Sequence, residues 1–201
     1  MGILKSCFQT EWIEAGCDEA GRGCLAGPVS AAAVILPPDY THPLLNDSKK
    51  LTEKQRYRLR DEVEKEAIAW AVAFSDNHFI DKNNILKASV LTMHKAVKAL
   101  SVTPGLLIID GNYFLPYPHI AHKCIVKGDS LYYSIAAASV IAKTYRDDFM
   151  VDLYNQHPEY NWKKNKGYPT ADHRLALIQH GATPYHRRSF HLGIEQLSFD
   201  F

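Results

Sequence analysis

Four acidic residues stand where predicted strands end or a predicted helix begins. Asp18 and Glu19 close a short strand candidate, and Asp110 follows the continuous apolar run at 106–109. Asp129 comes directly before a long apolar stretch with helical spacing. Because strand ends and helix starts gather at one edge of an α/β sheet, we expect these carboxyl groups to lie close together.

Carboxylates gathered in one place repel one another unless cations lie between them. Ligand sets made only of oxygen favour Mg²⁺ or Mn²⁺ over zinc, and two such ions can assist an in-line displacement at phosphorus. Any one acid, taken alone, could simply cap a helix or begin a turn. Three acids that all end buried elements favour a metal site.

The segment Gly21-Arg22-Gly23 directly follows the first two acids. It lacks the ending of a phosphate-binding Walker loop and the glycine spacing of a dinucleotide-binding fold. Two glycines do allow the backbone to approach a ligand closely and present its N–H and C=O groups. An ordinary tight turn is the alternative interpretation of these residues.

Positive charge is concentrated near the C-terminal end of the chain. The net charge is +1, but residues 161–193 carry +5 and the remainder carries −4. Basic residues interleaved with aromatic ones suit a nucleic-acid backbone and its exposed rings. The alternative is a set of solvent-facing lysines and core aromatics. The segments concerned are Ser48-Lys49-Lys50, Lys166-Gly167-Tyr168 and His186-Arg187-Arg188-Ser189-Phe190.

Predicted strands alternate with predicted helices along the chain, which is typical of an α/β layered fold. Apolar runs predict strands, and a capping box at Thr52 and Gln55 predicts the start of a helix that ends near Glu66. After Pro158 the chain becomes polar and basic, and we expect a small helical segment there. The strand candidates are 12–18, 29–36, 68–74, 106–109 and 120–126, and the other helix candidates are 84–100, the stretch after 128, and 171–180.

Composition places the chain among ordinary globular proteins. It has 201 residues, of which 46% are hydrophobic and 22% charged, so one domain spanning 1–201 is expected, and disordered, collagen-like and coiled-coil classes are excluded. The four cysteines form no C-x-x-C pair and are expected to be buried thiols. No apolar run is long enough to cross a bilayer, and no signal peptide is recognisable, so a cytoplasmic location is expected.

Taken together, several short motifs closely resemble those of bacterial ribonuclease HII. They occur in the order of that family from residue 18 to residue 190, so the resemblance covers nearly the whole chain. Each motif alone is weak, whereas the ordered set is highly specific. The motifs are 18–23 with Gly27-Pro28, 46–51, 109–111, 127–129 with 135–139, Ala142-Lys143 with Arg146-Asp147, 166–168 with Thr170 and His173, and 186–190.

The resemblance implies a ribonuclease H-like three-layer α/β/α fold with a mixed sheet and a small C-terminal helical segment at about 158–201. It also implies an endonuclease that cleaves the RNA strand of RNA–DNA hybrids and nicks duplex DNA at single ribonucleotides. The implied mechanism uses two metal ions, Mn²⁺ or Mg²⁺, and leaves 5′-phosphate and 3′-hydroxyl ends. The expected protein is a monomer with no membrane partner.

The family's functional residues can be carried over by motif. The catalytic and metal-binding acids would be Asp18, Glu19, Asp110 and Asp129. Gly21, Arg22 and Gly23 look like the family's reader of 2′-hydroxyls, and Tyr168 looks like the tyrosine that stacks on the deoxyribose after the ribonucleotide. Further substrate contacts would be Ser48, Lys49, Lys50, Lys143, Lys166 and Arg188.

Two alternatives remain beside this interpretation. Ribonuclease HIII shares the fold and the acids, but typically has threonine in place of the central arginine, Arg22, and carries an extra N-terminal domain, for which residues 1–17 would leave no room. A nucleic-acid-binding module without catalysis would use the basic C-terminal face. Such a module has no need of four acids, because they would oppose phosphate binding in the absence of metal.

Overall fold

Five strands form one mixed sheet. The computed structural model describes residues 4–45, 48 and 51–193. The sheet order is β3-β2-β1-β4-β5, in which β1, β2 and β3 pair antiparallel while β4 lies parallel to both β1 and β5. The strands are β1 (Glu14–Ala20), β2 (Val29–Ile35), β3 (Ala69–Ser75), β4 (Leu106–Asp110) and β5 (Ala121–Ile125).

Helices cover both faces of the sheet. The long helix α4 and helix α1 pack on one face, and α3 packs on the other. The helices are α1 (Glu53–Glu66), α2 (Asn77–Asn83), α3 (Ile85–Lys98), α4 (Tyr133–Gln156), α5 (Trp162–Asn165) and α6 (Ala171–His180), with single 3₁₀ turns at Gly128–Ser130 and Pro158–Tyr160. The three-layer α/β/α fold with a mixed sheet is therefore confirmed.

Strand β2 shows why both faces must be covered. All seven of its residues are buried, with Ala32 and Val34 in the cluster under α4 and Ala31 and Ala33 in the cluster under α3. Side chains alternate between the faces of a strand, so a continuous apolar run indicates a strand buried on both sides. The predicted strand at 29–36 is confirmed.

Glycine at position 16 lets α4 lie directly against β1. A Cβ atom there would be 2.3 Å from the backbone carbon of Ser134 and 2.4 Å from the nitrogen of Ile135. No side chain fits in that space, so helix and strand meet backbone to backbone. Helix α4 then continues along the sheet towards the acidic end of β1.

Helix starts follow the local capping chemistry. Thr52 and Gln55 form the predicted capping box, in which Thr52 Oγ1 accepts from Gln55 N at 3.3 Å and Thr52 N donates to Gln55 Oε1 at 2.8 Å. The helix predicted at 84–100 spans 85–98, with Asn84 as its cap. Helix α2, capped by Asp76, was not predicted because seven residues are too few to show helical periodicity.

The C-terminal segment, predicted to be helical at about 158–201, packs on the end of α4 over residues 158–193, and residues 194–201 lie outside the described residues. Trp162 and Leu177 are buried against Met150 and Leu153 of α4. Helix α6 has the predicted bounds, whereas α5 and the 3₁₀ turn before it were not predicted. Within the ranges that the structure describes, no helix is long and apolar enough to span a membrane.

Candidate active site

A cavity of about 360 Å³ opens at the edge of the sheet where the parallel strands β1 and β4 end. It brings together nine of the fourteen residues predicted to form the site. Asp129, Lys166 and Arg188 do not line it, and Lys49 and Lys50 lie outside the described residues. The lining residues are Asp18, Glu19, Ala20, Gly21, Arg22, Gly23, Ser48, Asp110, Ser139, Lys143 and Tyr168.

Asp18 lies within strand β1 rather than after it, which corrects the expectation that the acids close that strand. The strand continues to Ala20 because residues 18–20 still pair with β2. Cys17 is in register with Ile109 of β4, so the next residues, Asp18 and Asp110, are neighbours at the sheet edge. This register confirms the expected closeness of the two acids, and the charge of Asp110 raises the pKa of Asp18.

Burial raises the pKa of the Asp18 carboxyl well above its ordinary range. The negative charges of Glu19 and Asp110 raise it further, while hydrogen bonds from the Ser139 hydroxyl and the Glu19 amide oppose the shift. Asp18 is 4% exposed. A buried carboxylate beside two other acids is costly, and a cation in the cavity would lower that cost.

Ser139 of α4 connects Asp18 to the loop before α1. Its Oγ lies 2.8 Å from the Oγ of Ser48. Ser48, expected as a substrate contact, lines the cavity and shares with Ser139 a hydrogen bond that either hydroxyl can donate. Ser139 belongs to the motif at 135–139 but was not predicted as a site residue, because its helical periodicity indicates only that it lies in a buried helix.

Asp110 ends β4 as predicted and accepts a hydrogen bond from the backbone N–H of Gly128 at 2.7 Å. This bond places Gly128, the residue before Asp129, beside Asp110. Asp129 is buried, but it lies in a 3₁₀ turn, and α4 begins only at Tyr133. The expectation that Asp129 starts the helix is therefore wrong by one turn, because Gly128–Ser130 forms its own short element.

The donor set fits a hard divalent cation that substrate helps to bind. Among the residues that the structure describes, no three His, Cys, Asp or Glu side chains are arranged to surround one ion. Mg²⁺ is usually held by one or two carboxylates, water and substrate phosphates rather than by a cage of protein ligands. The neighbouring acids Asp18 and Asp110 meet that requirement in an open cavity.

Two buried arginines hold the backbone around the Gly21–Gly23 loop: Arg187 bonds the loop itself, and Arg146 bonds the chain after it. Arg146 donates to the carbonyl oxygens of Pro28 at 2.8 Å, Lys166 at 2.8 Å and Ala26 at 3.1 Å. Arg187 donates to the carbonyl oxygens of Arg22, Gly27 and Pro28 at 2.9–3.1 Å. Both side chains are almost completely buried.

The burial of Arg187 corrects the sequence interpretation, which grouped this residue with the basic contacts. Its guanidinium is inside the fold and turned to backbone oxygens, and burial is the main reason that its pKa falls to about 10. Charge counting missed this role because it cannot distinguish a buried arginine from an exposed one. The basic side chain that is exposed in this segment is that of its neighbour Arg188.

The remaining basic residues differ in their surroundings. Lys143 lines the cavity and forms an ion pair with the buried Asp147, while burial lowers the pKa of its amine. Lys166 has its Nζ 3.9 Å from an oxygen of Glu53, and its side chain is only 12% exposed. Arg188 is exposed, with its backbone N–H bonded to Asp81.

Tyr168 lies on the wall of the cavity with 38% of its surface exposed. Its backbone N–H donates to Asn165 O at 2.9 Å, and the preceding Gly167 O accepts from Leu25 N at 2.8 Å. Burial raises the pKa of its phenol, and the Cys24 side chain lies against it. The ring is thus held at the cavity while one part of it faces solvent.

The fold and the acidic cavity at the end of its parallel strands define a ribonuclease H-like protein. Residues 15–192 match the family model described as Ribonuclease HII. A ribonuclease HII of Bacteroides thetaiotaomicron is 62% identical over 200 residues, which cover 99% of this chain and all of that protein. The chain belongs to the ribonuclease HII family, and it is an endoribonuclease of the ribonuclease H type.

Solved structures are similar in fold at lower sequence identity. The ribonuclease H2 of Pyrococcus horikoshii OT3 has a TM-score of 0.77 at 23% identity, covering 92% of this chain and 97% of that one. A Bst-RNase HIII in complex with Mn²⁺ has a TM-score of 0.67 at 19% identity, covering 90% of this chain and 67% of that one. The family match decides against the ribonuclease HIII alternative.

Proposed function

We propose that this endonuclease nicks duplex DNA at single embedded ribonucleotides as well as cleaving the RNA strand of hybrids, leaving 5′-phosphate and 3′-hydroxyl ends. The observation that carries the proposal is the single cavity shared by Asp18, Asp110, the Gly21–Gly23 loop and Tyr168. Acidic residues that could bind cations therefore line the same cavity as the loop and the tyrosine that could contact a sugar.

The acids would hold the divalent cations. Asp18, Glu19 and Asp110 line the cavity, with Glu19 paired to Arg22, and the buried Asp129 adjoins the Gly128 amide that contacts Asp110. Two Mg²⁺ or Mn²⁺ ions, when bound, would supply an activated water and stabilise the leaving 3′-oxygen. The Mn²⁺ complex of the structurally similar ribonuclease HIII supports this choice of metals.

The chain's own residues would orient the substrate. Gly23 has nothing within 4 Å of where a Cβ would stand, so a sugar can approach the backbone there. The 2′-hydroxyl is both a donor and an acceptor, and backbone N–H and C=O groups can match both. Tyr168 would lie flat on the next sugar, where a second hydroxyl would be crowded and poorly solvated.

Lys143 would add positive charge on the wall of the cavity for the phosphate backbone. Lys166 and Arg188 would contact phosphates further from the acids. We also propose that the enzyme acts as a monomer in the cytoplasm. All four cysteines are unpaired, which supports a reducing compartment.

The test is an end-labelled DNA duplex that carries one ribonucleotide, incubated with and without Mn²⁺. We expect one metal-dependent nick at the ribonucleotide, with ends that a ligase can reseal because they carry 5′-phosphate and 3′-hydroxyl groups. Asp18→Asn should remove the nick. Asp61→Asn, which changes an exposed acid on α1, is the matched control and should cleave like the unmodified protein.

Binding without nicking would instead support a module that uses the basic face alone. Cleavage of all-RNA strands with no cleavage at the single ribonucleotide would contradict the junction-reading role. A nick that forms equally well in a metal chelator would contradict the role of the acids.

A further inference from the structure

Two histidines of the C-terminal segment face each other inside the protein. His173 of α6 and His186 both have no exposed surface, and their Nε2 atoms lie 3.1 Å apart. Neither histidine lines the acidic cavity, and the proposed chemistry uses neither. Its neighbours nevertheless determine where the protons must be.

The hydrogen-bond partners allow one arrangement of protons. His186 Nδ1 accepts from the backbone N–H of Thr183 at 2.9 Å, so the proton of a neutral His186 is on Nε2. His173 Nε2 accepts from the Trp162 indole N–H at 3.1 Å, so its proton is on Nδ1. His186 Nε2 therefore donates to the same lone pair of His173 that accepts from Trp162, and His173 Nδ1 in turn donates to the carbonyl oxygen of Tyr168 at 2.9 Å.

Both rings stay neutral in this environment. Burial is the main reason that the pKa of His173 is lowered and that of His186 falls to about 3. The positive charges that face the pair belong to Arg174 and Arg188, and they act in the same direction. A proton added to His173 Nε2 would face the N–H of His186, so the neutral chain of bonds is the stable one.

The pair joins the two elements proposed to read the substrate. One end of the chain of bonds is the carbonyl of Tyr168. At the other end, the backbone of His186 forms a bridge with Ala26, and Arg187 N donates to Leu25 O at 2.8 Å. Residues 25 and 26 directly continue the Gly21–Gly23 loop. A change at either histidine would therefore alter the position of Tyr168 relative to that loop.

We propose that His173 and His186 are positioning residues that fix Tyr168 against the Gly21–Gly23 loop and so set the distance over which the RNA–DNA junction is read. The inference rests on the proposed function of Tyr168. The inference concerns how the backbone of Tyr168 is held in place, which the stacking of its ring does not explain.

The kinetic test compares His173→Leu with His173→Asn on the single-ribonucleotide duplex with Mn²⁺. The Asn amide nitrogen is attached to Cγ, as Nδ1 is in histidine, so it can still donate to the Tyr168 carbonyl. We expect His173→Leu to lower kcat/KM about tenfold and His173→Asn to restore most of it, since one hydrogen bond is lost only in the first. His78→Asn, at an exposed histidine, is the control.

A double-mutant cycle with Tyr168→Ala tests whether the effect passes through Tyr168. When Tyr168 is already alanine, His173→Leu should lower the rate by less than about twofold. Equal losses in both backgrounds, or an Asn variant as slow as the Leu variant, would overturn the proposal. Thermal unfolding of each variant identifies any that does not fold.

Nitrogen NMR of the unmodified protein provides a test that needs no catalysis. At pH 7 we expect opposite neutral tautomers, with the proton on Nδ1 of His173 and on Nε2 of His186. The same tautomer in both rings, or a charged ring, would overturn the proposal. A protein that leaves the single-ribonucleotide duplex uncut would contradict the proposed function, and the NMR result would still decide on the histidine pair.

Discussion

Gly21 and Gly23 flank the same arginine, yet the structure predicts opposite results when each is changed to alanine. Gly21 has a φ of +92°, and a Cβ there would stand 2.0 Å from Nε of Arg146 and 2.5 Å from its Cδ. Gly23 has no positive φ, and a Cβ there would meet nothing within 4 Å. Comparing the two alanine variants therefore separates effects on backbone strain and packing from effects on the approach of the substrate.

The cost of Gly21→Ala can be estimated from those contacts. An unfavourable backbone conformation costs about 1–3 kcal/mol, and loss of one hydrogen bond from the charged, buried Arg146 costs about 1.5–3 kcal/mol. We expect the free energy of unfolding to fall by about 2.5–6 kcal/mol. For a chain of this size the melting temperature should fall by roughly 5–24 °C. Gly23→Ala should stay within about 1 kcal/mol of the unmodified protein.

Urea unfolding in a metal chelator measures stability, and nicking of the single-ribonucleotide duplex measures function. We expect Gly23→Ala to fold normally but to lower kcat/KM, because its methyl group occupies the path of the sugar. A Gly21→Ala protein as stable as the unmodified one would refute the steric argument. A Gly23→Ala protein with normal cleavage would show that the substrate does not approach this backbone.

Three further predictions concern the acids, the tyrosine and the basic contacts. Asp18→Asn should abolish cleavage and, in a chelator, raise stability near pH 7. Because the pKa of Asp18 is raised in the folded state, the unmodified protein loses stability as pH rises from about 4 through that pKa. The urea midpoints of the unmodified protein and of Asp18→Asn should therefore converge near pH 4. A difference between the midpoints that does not change with pH would contradict this cause. Tyr168→Ala should impair cleavage at a single ribonucleotide about 5- to 150-fold while Tyr168→Phe retains most activity; equal rates in kinetic assays would make Tyr168 a packing residue only. Neutralising Lys166 or Arg188 should weaken binding to all duplexes alike and reduce the salt slope by about one, measured by titration at several salt concentrations; a loss limited to one sequence would indicate base readout instead.

Local signals predicted most of the elements. The fully buried strand β2, the capping box of α1 and helix α6 were readable because each depends on neighbouring residues in the chain. Strand β1 ended later than expected, because its last residues are held by pairing with β2 rather than by apolar side chains. The short helices α2 and α5 carry too few residues for a periodic pattern.

The sequence by itself determined the α/β class and, through ordered motifs, the family and the candidate acids. Only the tertiary structure decided what each side chain does with its charge or its proton. Arg187 and Arg188 are adjacent, yet one is buried and bonded to the Gly21–Gly23 loop and the other is exposed. Ser139 and Ser48 are 91 residues apart, yet they share one hydrogen bond beside Asp18. Charge and hydrogen-bonding capacity belong to residue types, whereas burial and partners depend on contacts between distant segments, which no local pattern specifies.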